Sequence, residues 1–173
     1  MKITGLAFVL GLGWLGHAAF WIRSLRRAAR AAAAPGEYLR ELTVRFVMLA
    51  LILLTLILPR GRLFPYGRAV AYAGVAIFLL GQVLAVWARL QLGSRWGIGI
   101  SPRAGGADPG KNGRFEDGLF GVVRHPIYIG TVLAIFVQAL IVQNVPSFLL
   151  LAAALGIVFW KAREEDRRLA AKA

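Results

Sequence analysis

Long apolar blocks separated by arginine-rich segments constrain the fold of this chain more than any other feature. Its 173 residues are 58% hydrophobic, yet Lys and Arg outnumber Asp and Glu by 21 to 8. Soluble domains rarely combine these properties, whereas apolar blocks joined by basic connections are typical of proteins that cross a membrane several times. We therefore predict an all-α fold, a polytopic membrane helix bundle of about five spans.

The net charge of +13 would also suit a nucleic-acid-binding protein. However, the basic residues lie between the apolar blocks and form no polar, aromatic-bearing face for a nucleic acid. Cysteine is absent, which excludes disulfides and thiol nucleophiles, and two histidines, His17 and His125, are too few for a His-built metal site. We expect the lipid bilayer as a partner, and neither nucleic acid nor metal.

Five apolar segments are candidate spans. Three lie at about residues 3–22, 43–58 and 69–92, and a fourth apolar run, 127–160, is broken at "QNVPS". Each half of that run is near the lower limit of about 17 residues for crossing a bilayer. We therefore predict that residues 127–160 form a tight helical hairpin, preceded by a long polar loop rich in Gly and Pro.

The basic residues also predict the orientation. Of the 21 Lys and Arg residues, 17 lie in the linker after the first span, in the long loop before the hairpin and in the C-terminal tail. Basic connections stay in the cytoplasm, so these segments are predicted to be cytoplasmic and the N-terminus external. Usage rich in Ala, Arg and Gly suggests a GC-rich bacterial genome. We therefore expect an integral protein of a bacterial inner membrane, with its active site on the cytoplasmic side.

The segment "GLGWLG", residues 11–16, matches the glycine pattern of a dinucleotide-binding turn. That pattern needs a preceding strand and a following helix, but here it lies inside an apolar run. We predict that its glycines allow close helix packing.

A polar triplet, Arg124-His125-Pro126, stands directly before the apolar hairpin. Pro126 suits the first turn of a helix, and a helix start presents backbone N–H groups and a positive dipole end. Together with Arg124 this predicts an anion site, with the Tyr128 ring at its mouth and Gly130 allowing close approach to the backbone. The alternative is an anchor at the membrane interface.

Three acids, Glu164, Glu165 and Asp166, follow the last apolar segment. The hairpin returns the chain to the side of His125, so the acids would face the anion site. Such a pocket suits a ligand with a carboxylate and cationic groups, for example S-adenosylmethionine. The alternative is a solvated helix end.

Residues 85–169 resemble the isoprenylcysteine carboxyl methyltransferase family, to which the phospholipid methyltransferases are related. The resemblance rests on "GLFGVVRHPIYIG", on the hairpin, on the upstream "ARLQLGSRWG", and on the pattern Lys-x-x-x-Glu-acid-x-x-Leu that begins at Lys161. It implies an S-adenosylmethionine-dependent methyltransferase that methylates the carboxylate of a lipid or lipid-modified acceptor. Residues 69–173 would form the methyltransferase-like core, and 1–68 the N-terminal membrane helices with their basic linker.

The resemblance also implies residue roles. His125 and Glu165 would be catalytic, acting as bases if the acceptor is an amine or hydroxyl, while Lys161 and Trp96 would contact the acceptor. The cofactor-binding residues would be Asn112, Gly113, Arg114, Phe115, Phe120, Arg124, His125, Pro126, Ile127, Tyr128, Gly130, Glu164 and Glu165.

Two alternatives remain open. Family members continue past the acidic motif with an amphipathic segment, so the chain could be a non-catalytic member that lacks this substrate element. It could also be a nicotinamide-dependent membrane reductase, with Arg103 and Arg114 binding a ribose phosphate. The Arg-His-Pro-x-Tyr-x-Gly match argues against the reductase.

Overall fold

The fold is a bundle of helices, seen in a computed structural model that describes residues 3–31, 35–58, 63, 65, 67–93 and 118–170. Within these residues the chain is all-helical, which confirms the predicted fold class. The helices are α1 (Ile3–Ala31), α2 (Pro35–Ile57), α3 (Arg68–Leu92), α4 (Leu119–Val122), α5 (Pro126–Val142) and α6 (Val145–Ala170).

The five long helices alternate in direction. Asn144, after α5, donates a hydrogen bond to the carbonyl of Thr55 near the end of α2. At the other end, the backbone N–H of Leu119 donates to the side chain of Gln91, near the end of α3. The bundle therefore has two ends, which we call the Asn144 end and the His125 end.

The basic linker differs in extent from the prediction. The first apolar span was expected to end near residue 22, but α1 continues to Ala31 and α2 begins at Pro35. Ala and Arg are strong helix formers, so α1 continues beyond its apolar part. The polar segment before the hairpin also contains a short helix, α4, where we expected only loop.

The predicted hairpin is confirmed. Gln143 ends α5 in the left-handed backbone conformation, with φ of 55°. Asn144 then starts α6: its side-chain oxygen accepts a hydrogen bond of 2.9 Å from the backbone N–H of Ser147. Asn is a favoured helix-capping residue because its short side chain satisfies an N–H group that has no acceptor in the helix. Two residues thus reverse the chain.

The lengths and surfaces of the helices suit a membrane. Three segments, Gly5–Arg27, Arg68–Leu92 and Val145–Arg163, are long and apolar enough to cross one, and Leu42–Ile57 and Pro126–Val142 are shorter apolar helices. Large apolar side chains point outward on all five long helices, including Phe8, Ile57, Leu80, Phe136 and Trp160. A lipid environment would cover these side chains, as expected for a helical membrane bundle.

A buried hydrogen-bond network joins α1 and α2 to α5. Gln138 is 1% exposed, and its side-chain oxygen accepts a hydrogen bond from the indole N–H of Trp14. Its amide nitrogen donates to the hydroxyl of Thr55 at 2.8 Å and to the carbonyl of Ile52 at 3.2 Å. Such bonds specify which helices pair in a membrane, where burial of apolar surface drives association poorly.

Candidate active site

The start of α5 has the geometry that the sequence predicts. Pro126 is the first helical residue and is buried, while His125 precedes it with φ of −132° and ψ of 60°. Proline suits this place because its missing N–H would have no acceptor in the helix. The backbone carbonyl of His125 accepts from the N–H of Ile129 at 3.1 Å, which closes the first turn.

The imidazole of His125 does not cap α5. Its ring stacks on that of Tyr128, with centroids 5.6 Å apart and an interplanar angle of 27°. The pair forms an aromatic surface beside the helix start, where backbone N–H groups and the dipole favour an anion. Arg124 is exposed next to it, and Ile127 is half-buried.

Packing against α3 fixes the position of this helix start. A Cβ atom on Gly130 would lie 2.5 Å from the carbonyl oxygen of Gly81 and 2.8 Å from the backbone nitrogen of Ala85. Conversely, a Cβ atom on Gly81 would lie 2.6 Å from the carbonyl oxygen of Gly130. Helix α3 therefore makes a close approach to the backbone at Gly130, which gives this glycine a role in helix packing, while its contact with a cofactor stays a prediction.

Two side chains near the end of α3, Arg89 and Gln91, form hydrogen bonds with the backbone of Gly93 and Leu119, which lie just before and just after residues 94–117. Arg89 donates from Nη1 to the carbonyl of Gly93 at 3.0 Å. Gln91 accepts from the backbone N–H of Leu119 at 3.2 Å. Gly118, with φ of 59°, lies against the Gln91 amide, where a Cβ atom would come within 2.6 Å of Nε2. Gln91 thus positions α4, which carries the half-buried Phe120, relative to α3.

The acidic motif lies at the same end of the bundle. Helix α6 runs from the hairpin to Ala170 and includes Glu164, Glu165 and Asp166 in its last turns. At 1.5 Å per residue in both arms of the hairpin, the level of Pro126 is reached on α6 at about residue 161. The half-buried Lys161 is near this level, and the acids follow one turn later.

Several predicted site residues lie outside what the structure describes. They are Trp96, Asn112, Gly113, Arg114 and Phe115, all in the long polar segment, and the side chains of Glu164 and Glu165. The described members of the predicted site that come together are His125, Pro126 and Tyr128. Their roles toward a cofactor stay predictions.

Sequence reasoning missed Gln82, Arg89 and Gln91 on α3. All three are polar residues within or beside an apolar span, and Gln82 and Arg89 are only 8% and 9% exposed. The signal was available, because polar residues inside a membrane span are costly and usually have partners or a function.

The fold and this site define a helical membrane protein whose polar site lies at one end of the bundle. A sequence model of the phospholipid methyltransferase family matches residues 70–171, more than half of the chain. The chain belongs to the phospholipid methyltransferase family, a family of membrane methyltransferases. No curated protein and no solved structure matches it significantly.

The match supports the membrane methyltransferases as a broad group, and not specifically the isoprenylcysteine carboxyl methyltransferases that the sequence motifs resemble. The sequence motifs resemble the isoprenylcysteine carboxyl methyltransferases, whereas the match is to the related phospholipid methyltransferases. The match covers α3 to α6 and leaves out α1 and α2. The membrane methyltransferase class is thus shown, and the isoprenylcysteine-specific activity stays a prediction.

Proposed function

We propose that this protein transfers a methyl group from S-adenosylmethionine to a lipid or lipid-modified acceptor, at the cytoplasmic face of a bacterial inner membrane. The observation that carries the proposal is the family match over residues 70–171, which contains the whole His125 site. The 17 basic residues in the linker after the first span, the long polar segment and the C-terminal tail support the cytoplasmic orientation.

The described residues fit part of this cofactor. The start of α5, with Arg124 beside it, suits a carboxylate, because both favour negative charge. The stacked rings of His125 and Tyr128 offer an aromatic surface for a purine or a cation. Pro126, Ile127 and Phe120 would complete the apolar lining, and Glu164 and Glu165 would meet the cationic groups.

S-adenosylmethionine supplies an electrophilic methyl group on a sulfonium. The residues of this chain therefore need to orient the reactants and exclude water. A carboxylate acceptor needs no base, because it attacks in its ionised form. An amine acceptor must lose a proton, and His125 or Glu165 would take it.

The acceptor chemistry separates the two related families. The family match points to a phospholipid amine, and the Arg-His-Pro-x-Tyr-x-Gly resemblance points to a prenylcysteine carboxylate. Both acceptors are amphiphiles whose reactive group lies at the membrane surface, where His125 is expected. Lys161, half-buried on α6, and Trp96 are our candidates for contacts with either acceptor.

The first test is calorimetric titration of the detergent-purified full chain with S-adenosylhomocysteine. We expect saturable binding by the wild type and loss of binding in His125→Ala and Glu165→Ala. Tyr72→Ala is a matched control, because Tyr72 is an exposed aromatic residue on α3 toward the Asn144 end. No binding by a folded wild type would overturn the proposal.

The second test identifies the acceptor. Protein in vesicles receives methyl-labelled S-adenosylmethionine with phosphatidylethanolamine or with a farnesylcysteine. Label released by mild base would show a carboxyl ester, and base-stable label in the phospholipid would show N-methylation. Cofactor binding without transfer to any lipid would instead support the non-catalytic alternative.

A further inference from the structure

The turn of the hairpin, from Gln143 to Pro146, has its polar side chains inward and its apolar side chains outward. Gln143 and Asn144 are only 3% and 6% exposed, whereas Val145 is 70% exposed and Pro146 is also exposed. A turn that lies in water leaves its polar side chains to the solvent, because burying a polar group costs free energy unless it is hydrogen-bonded. We call Val145 and Pro146 the apolar tip.

The polar groups of this turn form hydrogen bonds within the protein. The side-chain amide of Asn144 donates to the carbonyl of Thr55 in α2 at 3.0 Å and accepts from the backbone N–H of Ser147 at 2.9 Å. The hydroxyl of Ser147 donates in turn to the carbonyl of Asn144 at 2.7 Å. Hydrocarbon supplies neither donors nor acceptors, so backbone outside a helix is tolerated there only where it is buried in protein. Gln143 and Asn144, the two residues between the helices, are buried in this way.

The hairpin is also short for a membrane crossing. Helix α5 has 17 residues, and Lys161, the first charged residue on α6, is 16 residues beyond Val145. At 1.5 Å per residue, each arm therefore extends about 24 Å. The hydrocarbon layer is about 30 Å thick, and the headgroups add about 5 to 7 Å on each side. A hairpin with its charged end at one membrane surface therefore stops short of the other.

The two connections at the Asn144 end differ in charge. The connection from α2 to α3 includes Arg60 and Arg62, and α3 itself begins at Arg68. Residues 126–160, by contrast, have no charged side chain, and the turn lies in the middle of this stretch. Charged side chains are costly in hydrocarbon, so the arginines require the first connection to reach headgroups or water. The hairpin turn has no such side chain to hold it at the surface.

We propose that the α5–α6 hairpin enters the bilayer from the His125 side and turns back inside it, with its apolar tip in contact with lipid acyl chains. The partner of this surface is hydrocarbon, and not water, a headgroup or a second protein. The turn is then held in place by protein contacts, such as the hydrogen bond from Asn144 to Thr55, and not by anchoring at the far surface. The proposal concerns the placement of the hairpin and is independent of the proposed methyl transfer.

Single cysteines test the depth of the tip, because the chain has no cysteine of its own. Val145→Cys and Leu63→Cys are made in the full chain, labelled with a nitroxide in detergent and reconstituted in phosphatidylcholine vesicles. Leu63 is the matched control, because it is an exposed apolar residue that directly follows Arg62. Electron paramagnetic resonance compares the relaxation of each label by oxygen, which concentrates in hydrocarbon, and by a water-soluble nickel chelate.

We expect oxygen to relax the Val145→Cys label more strongly than the nickel chelate does, and the reverse order for Leu63→Cys. Leu149→Cys, one turn further along α6 at an exposed position, marks the oxygen effect of full contact with hydrocarbon. Pro146→Cys reports on the same tip and keeps the test informative if Val145→Cys fails to fold.

Two results would overturn the proposal. Stronger relaxation of the tip labels by the nickel chelate than by oxygen would place the turn in water or among headgroups. Weak relaxation by both reagents would mean that protein covers the tip, either a second copy or another part of the chain.

Discussion

The junction between α3 and α5 and the junction that joins α1 and α2 to α5 are built in different ways. At the first, side chains are missing: Gly81 and Gly130 bring two backbones to a distance that no Cβ atom would allow. At the second, buried side chains form hydrogen bonds, with Gln138 linking Trp14 and Thr55.

The difference shows two ways to pair helices without relying on the hydrophobic effect. Lipid covers apolar surface as well as protein does, so close van der Waals packing and polar contacts must specify the partners. The glycine junction lies inside the region that matches the family, residues 70–171, and it orients the His125 site. The hydrogen-bonded junction attaches the two helices outside that region.

Breaking the glycine junction should have the largest effect. We expect Gly130→Ala to lower the free energy of unfolding by about 2 to 3 kcal/mol, because its Cβ atom would collide with the backbone of α3. Gly156→Ala on α6 is the control: its Cβ atom would meet nothing within 4 Å, so better helix propensity should leave stability equal or higher. Both are measured by denaturant titration in micelles, and equal stability of the two variants would refute the packing role.

Breaking the hydrogen-bonded junction should cost less. Gln138→Leu removes the acceptor of the Trp14 N–H and the donor to Thr55, and we expect a loss of about 1 to 2 kcal/mol. Thr131→Val on the same helix is the control, because the Thr131 hydroxyl donates to the carbonyl of Ile127 within its own helix and therefore joins no second helix through this bond. If the two variants unfold alike, the network does not specify the junction.

Removing the hydrogen bond between Gln91 of α3 and Leu119 of α4 should affect ligand binding more than the stability of the bundle. In Gln91→Leu the backbone N–H of Leu119 loses its acceptor, so we expect up to about tenfold weaker binding of S-adenosylhomocysteine. Gln91→Glu keeps an acceptor oxygen and should restore most of the affinity. Calorimetry gives the dissociation constants, and the positioning role fails if Gln91→Leu binds as tightly as the wild type.

The smallest effect is expected on the outer surface, which belongs to neither junction. Arg163 lies over the ring of Phe159, 4.3 Å from its centroid, at an exposed position on α6. Arg163→Gln should change the free energy of unfolding by about 0.5 kcal/mol or less. A loss as large as that of Gln138→Leu would mean that α6 makes a contact at this position that the two junctions do not account for.

Local sequence signals predicted the elements of this fold well. The apolar runs, the break at residues 143–147 and the proline at the start of α5 each act within one helix or turn. Such features need no distant partner, because helix length, capping by Asn144 and the fixed φ of Pro126 follow from local chemistry.

Contacts between distant residues could not be obtained in the same way. Of the three glycines in residues 11–16, only Gly13 is required for packing, since its Cβ atom would lie 2.5 Å from the Phe78 ring. Gly16 has nothing within 4 Å. The sequence indicates that small residues are present, but the register between helices determines which of them is used.

The sequence by itself therefore determined the helical membrane class, the hairpin and the motif at the start of α5. Only the tertiary structure decided that Gly130 packs on α3 and that Gln138 joins three helices. The physical reason is that spans form from local hydropathy and backbone hydrogen bonds. Their pairing depends on side-chain shape and charge brought together from positions far apart in the chain.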